Sequence, residues 1–168
     1  MNKFRNILDK TLELICMVLL SFMVILATWQ VITRYVLNNP STVSEDLLIY
    51  SFVWMALLGA SYVFGKKDHM SMVFFKEKFI GVNIKRKFTL NLTSEIMVII
   101  FSALVLVLGG VQISNLAMGQ ISPALKIPMG YIYLALPISG VITIVYSMLN
   151  ILDLLKEVSS SNDLVKNN

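Results

Sequence analysis

Residues 96–125 read IMVIIFSALVLVLGGVQISNLAMGQISPAL, 30 positions without one Asp, Glu, Lys or Arg. A helix rises about 1.5 Å per residue and a bilayer's hydrocarbon core is roughly 30 Å thick, so about 20 apolar residues cross it. Three further charge-free windows flank this one: residues 14–33, 47–65 and 127–152, of 20, 19 and 26 residues. In lipid a single segment can satisfy its own backbone only as a helix. The sequence therefore predicts an all-α integral membrane protein with four transmembrane helices, at about 12–37, 46–65, 88–117 and 128–152. Together they make one membrane domain over residues 1–155, followed by a polar tail at 156–168 that its composition predicts to be disordered.

The bulk composition agrees. Hydrophobic residues are 57% of the chain and charged ones 14%, against about 25% charged in soluble domains. The net charge of +4 is arranged by topology. Twelve of the 14 Lys and Arg lie before the first span, between the second and third, or after the fourth. Only Arg34 and Lys126 lie in the other two connections. The positive-inside rule then puts both termini and the 66–95 connection in the cytoplasm. The basic run Lys85-Arg86-Lys87 belongs beside anionic headgroups, not on nucleic acid. Asp9 and Glu13 in the leader, and the absence of an A-x-A-like site, argue for an uncleaved anchor over a signal peptide.

Local signals refine the elements. Phe4, Ile7, Leu8 and Leu12 recur at helical spacing, so residues 1–13 form either a short in-plane helix or the frayed start of the first span. Trp29, Arg34 and Tyr35 suit the headgroup level at its far end. Thr42-Val43-Ser44-Glu45 reads as a capping box that opens the second span. Met70–Val82 is apolar but interrupted by charge, and is expected at the membrane interface. Gly109-Gly110 permits close contact or a bend in the third span, and Pro137 with Gly140 predicts a kink in the fourth.

Function is bounded mostly by what is missing. Ionisable groups deep in a bilayer mark ion and proton pathways, and no span core contains one. A proton-coupled carrier made of this chain alone is disfavoured. One cysteine (Cys16) rules out the paired thiols of a disulfide generator, and one histidine (His69) rules out haem held between histidine pairs. No hydrolase, zincin or P-loop motif is present, so nothing supports an enzyme. Ala56-x-x-x-Ala60, Gly110-x-x-x-Ser114 and Ala135-x-x-x-Ser139 let helices approach closely, within the chain or against a partner. An accessory membrane subunit fits best; a stand-alone small transporter and a structural tetraspan protein are the alternatives.

Several residues in order then carry a likeness. Trp29 and Arg34-Tyr35 close the first span, Glu45-Asp46 open the second, and Trp54, Gly59-Ala60 and His69 follow. Ser122-Pro123-Ala124-Leu125-Lys126-Ile127-Pro128 precedes Tyr131, Tyr133 and Pro137-Ile138-Ser139-Gly140. Across roughly residues 10–155 the chain resembles the small membrane subunit of TRAP (tripartite ATP-independent periplasmic) transporters, the DctQ-like family. The resemblance implies a bacterial inner membrane, a large DctM-like subunit that holds the solute and sodium sites, and a periplasmic solute-binding protein. It implies an organic-acid cargo, such as sialic acid or a C4-dicarboxylate, and a scaffold role for this chain with no cofactor of its own.

Candidate interface or structural residues are Arg34, Tyr35, Glu45, Asp46, Trp54, His69, Pro123 and Pro128. Arg34 can pair with Glu45 or Asp46 to lock the first two spans, or all three can be solvated charges or contact a partner. His69 belongs at the headgroup level or a subunit interface. Pro123 and Pro128 stop and restart helices, or present a docking loop. Trp54, Tyr131 and Tyr133 are anchors or packing residues.

Overall fold

A computed structural model describes residues 2–39, 41–66 and 84–166, with side chains for 3–39, 41–66 and 91–156. The predicted positions of His69 and Met70–Val82 lie outside the described residues. Among the described residues, four helical spans account for the fold. The first is α1 (Asn2–Tyr35) and the second α2 (Thr42–Gly65). The third comprises α3 (Ile84–Phe101), a π-helical segment (Ser102–Gly109) and α4 (Gly110–Ala117). The fourth comprises α5 (Gly130–Tyr133) and α6 (Ala135–Lys166). The first span packs along the second, and the fourth lies between the second and third.

At 34 residues α1 is about 50 Å long, well beyond what the hydrocarbon core needs. No separate in-plane helix precedes it. The chain has no Gly or Pro before Asn38, so nothing interrupts the helix, and residues 2–13 continue the first span. It ends where Asn38 turns left-handed (φ 49°) and the Asn39 N–H reaches back to the Thr33 carbonyl at 3.1 Å. Asn tolerates that conformation better than most residues with a side chain.

The second span starts one residue earlier than the capping-box reading predicts. Ser41 is the N-cap, in extended conformation, and its hydroxyl accepts from the Ser44 N–H at 3.4 Å. Thr42 is already helical, so Glu45 falls past the position from which a capping box reaches back.

The core reverses the habit of soluble proteins. Ten buried polar residues stand against six buried apolar ones besides glycine among those described, so hydroxyl groups do much of the joining of these helices. The Ser61 hydroxyl donates to the Ser139 carbonyl (3.0 Å), Ser102 to Gly140 (2.9 Å) and Ser114 to Gly130 (2.8 Å). Thr143 donates to the Ser61 hydroxyl across to the second span at 3.1 Å. Such interhelical bonds contribute about 0.6 kcal/mol each in membranes, up to roughly 1.7. Small residues allow the approach. A Cβ on Gly110 would stand 2.8 Å from Pro137 Cδ, and one on Gly140 would stand 2.8 Å from Leu106 Cβ. Gly110, Ser114, Ala135 and Ser139 are thus buried within the bundle, whereas Ala56 and Ala60 face out of it.

Two expectations about bends change. The helix runs unbroken through Gly140, which admits the third span. The interruption falls at Leu134, three residues before Pro137. Proline has no N–H for the Tyr133 carbonyl and its ring crowds that group, so the turn ahead of it opens. At the far end α6 continues to Lys166, into the predicted tail. No Gly or Pro follows Gly140, so nothing in the backbone ends the helix there.

Candidate functional site

The charged and hydrogen-bonding side chains gather at the two ends of the bundle, each end built from different spans. At the end shared by the α1–α2 and α4–α5 connections, Asp46 lies half-buried just past the first turn of α2. Its carboxylate accepts from the Ser122 hydroxyl at 2.6 Å and from the Tyr50 hydroxyl at 3.3 Å. Ser122 itself is 1% exposed and organises the α4–α5 connection. Its N–H donates to the Ile127 carbonyl (3.0 Å) and its carbonyl accepts from the Lys126 N–H (3.0 Å). Its hydroxyl also accepts from the Leu125 N–H at 3.4 Å. Lys126 takes φ 53° to close the turn, and Met129 N–H reaches Gln120 at 2.8 Å. A short antiparallel bridge joins Ile121 to Pro128. The connection is a closed, self-bonded turn pinned to α2.

This arrangement replaces the predicted ion pair. Arg34 forms no ion pair with Glu45 or Asp46 among the described residues, and both Arg34 and Glu45 are exposed. Asp46 is instead engaged by hydroxyl donors. Pro123 does not stop the third span, which ends at Ala117; it occupies an exposed corner of the turn after Ser122. Pro128 is half-buried, two residues before α5 begins at Gly130. Tyr35 is 73% exposed and Trp29 51%, on the outside of the bundle. Trp54 packs against the buried cluster of Leu12, Leu58 and Tyr146, which makes it part of the packing between helices.

The opposite end contains a polar cluster that joins all four spans. Arg5 on α1 donates to Asp153 at 2.8 Å, to Asn150 Oδ1 at 3.1 Å and to the Gly65 carbonyl at 2.7 Å. The last contact places a cation on the final carbonyls of α2, where the helix dipole favours it. One turn on, Asp9 accepts from the Tyr146 hydroxyl at 2.6 Å. Asn150 also donates to Glu95 Oε1 on α3 at 3.3 Å. The Tyr146 ring lies so close over Gly65 that no side chain fits there. Beside it, Lys66 stands 4.6 Å above the Tyr62 ring, and hydrogen bonding to Tyr62 holds its ammonium above the usual lysine range.

Sequence reasoning missed this cluster because it read Arg5 and Asp9 only as polar residues of the leader, and Glu95 and Asp153 only as the borders of charge-free windows. The signal was their register. Arg5 and Asp9 are spaced i, i+4, and Tyr146, Asn150 and Asp153 are spaced i, i+4, i+7, which puts each set on one helical stripe. Between the two ends, the buried hydroxyls of the bundle are bonded mainly to backbone carbonyls. No three carboxylate, thiol or imidazole groups converge on a point among the described residues. The arrangement can brace helices against one another at both membrane surfaces.

Residues 23–157 match the family described as tripartite ATP-independent periplasmic transporters, DctQ component. The chain is 30% identical over 164 residues to the sialic acid TRAP transporter small permease protein SiaQ of Vibrio cholerae, a match that covers 96% of this chain and 92% of that one. It is 28% identical over 144 residues to a putative TRAP transporter small permease protein of Haemophilus influenzae, covering 84% and 86%.

Proposed function

We propose a role that starts from the family: this chain belongs to the DctQ components of the tripartite ATP-independent periplasmic transporters. It is a multi-pass membrane protein and a small permease subunit. On our reading it is a scaffold. It sits in a bacterial inner membrane with both termini in the cytoplasm, the side on which its basic residues concentrate. It braces a large DctM-like subunit that carries an organic acid, received from a periplasmic solute-binding protein and driven by sodium bound in the large subunit. This chain contacts neither cargo nor ion and catalyses no reaction.

The observation that carries this reading is where charge lies. Arg5, Asp9, Glu95 and Asp153 are drawn together at one end, and Asp46 is engaged at the other. The middle of the bundle offers hydroxyls already bonded to carbonyls, which are poor ligands for an anionic solute or a cation. The V. cholerae relative supports a sialic acid cargo over a C4-dicarboxylate.

The test is reconstitution. Liposomes containing this chain, its large partner and the binding protein should take up labelled sialic acid under an inward sodium gradient. Liposomes with this chain alone should take up none. Uptake by this chain alone overturns the scaffold reading, and uptake of succinate but not sialic acid overturns the cargo.

A further inference from the structure

The first span is the least covered of the four. No residue from 13 to 32 is buried. Within the chain α1 packs chiefly along α2, through a stripe that includes Leu8, Leu12, Cys16 and Leu19. A second stripe points out of the bundle. Residues 13, 17, 20, 24, 27, 31 and 34 alternate in steps of four and three, and all seven are exposed. That alternation is the spacing with which one helix meets another over several heptads.

The ends of this stripe set it apart from an ordinary lipid-facing one. Glu13 closes it on one side and Arg34 on the other, with apolar Met17, Leu20, Val24 and Val31 between. Neither charge has a hydrogen bond or ion pair among the described residues, although the charge of Glu13 reaches Lys66 without contact. Glu13 is also not at the tip of the bundle. Arg5 meets the last carbonyl of α2, at Gly65, and Glu13 stands eight residues further along α1, about 12 Å inward. An ionised side chain in that position is costly and pairs with an opposite charge.

Charge also selects the occupant. Anionic headgroups of the cytoplasmic leaflet repel a carboxylate, so lipid suits Glu13 badly. A second copy in the same orientation, related by a two-fold axis, would set Glu13 against Glu13 and Arg34 against Arg34. A different helix, basic near the cytoplasm and acidic near the other surface, satisfies both ends. Resting on the scaffold reading above, we propose that this stripe of α1 is the docking face for a transmembrane helix of the large membrane subunit, with a cation opposite Glu13 and a carboxylate opposite Arg34.

Co-purification of the large subunit with a tagged copy of the full chain, from membranes containing both, tests the face. Val24→Trp, in the middle of the stripe, should lower recovery of the large subunit at least about fivefold by overpacking the contact. Ile25→Trp, one position off the stripe, should leave recovery within about twofold. Val24 is 59% and Ile25 66% exposed, so the isolated chain should keep its unfolding midpoint in both. Glu13→Lys combined with Arg34→Glu should also lower recovery, and Val24→Cys should crosslink to the large subunit. Equal recovery by the two Trp variants overturns the face, as does crosslinking of Val24→Cys to a second copy. A lowered midpoint in isolated Glu13→Gln gives Glu13 to Lys66 and overturns the charge pairing. Variants that all keep the partner defeat the face alone, whereas a wild type that recovers no large subunit defeats the scaffold reading and the face with it.

Discussion

The Ser122 hydroxyl donates a 2.6 Å hydrogen bond to the Asp46 carboxylate and so joins the α4–α5 turn to the N-terminal part of α2, 76 positions away. Ser122 is buried and Asp46 half-buried, so water replaces the bond only partly when it is lost. Hydrogen bonds to charged groups contribute about 1.5–3 kcal/mol, and partial exposure argues for the lower half of that range here. Ser122→Ala should lower the thermal unfolding midpoint in detergent. Asp46→Asn, which keeps an acceptor, should lower it less than Asp46→Ala. Equal midpoints for all three variants would remove the structural role of this pair.

Arg5 makes a different prediction, because it serves three acceptors on two other helices. Arg5→Ala leaves Asp153 without its ion pair and the Gly65 carbonyl without a cation. Lysine keeps the charge but lacks the planar fork that reaches several acceptors at once. The side chains are 20% and 38% exposed, so the ion pair itself is worth about 0–1 kcal/mol and the larger effect is local. Amide exchange over residues 3–9 should accelerate strongly in Arg5→Ala and to an intermediate degree in Arg5→Lys. Unchanged exchange in both would mean that the first turns of α1 are held by something else.

The glycines divide into two kinds, and substitution separates them. A Cβ at Gly110 meets Pro137 Cδ at 2.8 Å and the Pro137 backbone nitrogen at 3.0 Å, neither of which can swing away. Overpacking of this kind typically costs about 1–3 kcal/mol. At Gly59 an added Cβ meets nothing within 4 Å. Gly59→Ala should therefore stabilise by about 0.4–1 kcal/mol, through reduced freedom of the unfolded chain and better helix propensity. Unfolding midpoints should move in opposite directions for Gly110→Ala and Gly59→Ala. A shared sign would contradict the packing described.

Much of the fold was legible because hydropathy over 20-residue windows depends on composition, and composition survives without partners. The four spans needed no tertiary information. What escaped was set by contacts between helices. The break at Leu134 is displaced from Pro137 because proline disturbs the preceding turn and not its own. The π-helical turn at Ser102–Gly109 has no obvious signature in a run of Ala, Leu and Val, although Ser102 on its edge bonds the carbonyl of Gly140. Asp46 was singled out as a residue of interest, but opposite charge suggested Arg34 as its partner. The nearer donor is a neutral serine, which no charge count would select.

Tyr146 and Asp9 give the most discriminating test of the polar cluster, since two effects meet in one side chain. The Tyr146 ring fills the space over Gly65, and its hydroxyl donates to Asp9 at 2.6 Å. Tyr146→Phe removes only the second effect. Gly65→Ala acts on the ring, forcing it away from α2 and taking the hydroxyl with it. If the hydroxyl contact matters, Tyr146→Phe and Asp9→Leu should each destabilise, and the double variant should lose little more than either alone. The coupling energy should be near 0.6–1.7 kcal/mol, the range for hydrogen bonds between membrane helices. Gly65→Ala should still add a steric cost to Tyr146→Phe, because the phenylalanine ring meets the new methyl as the tyrosine ring would. Additive losses from Tyr146→Phe and Asp9→Leu would show that the ring alone ties α1 and α2 to the fourth span.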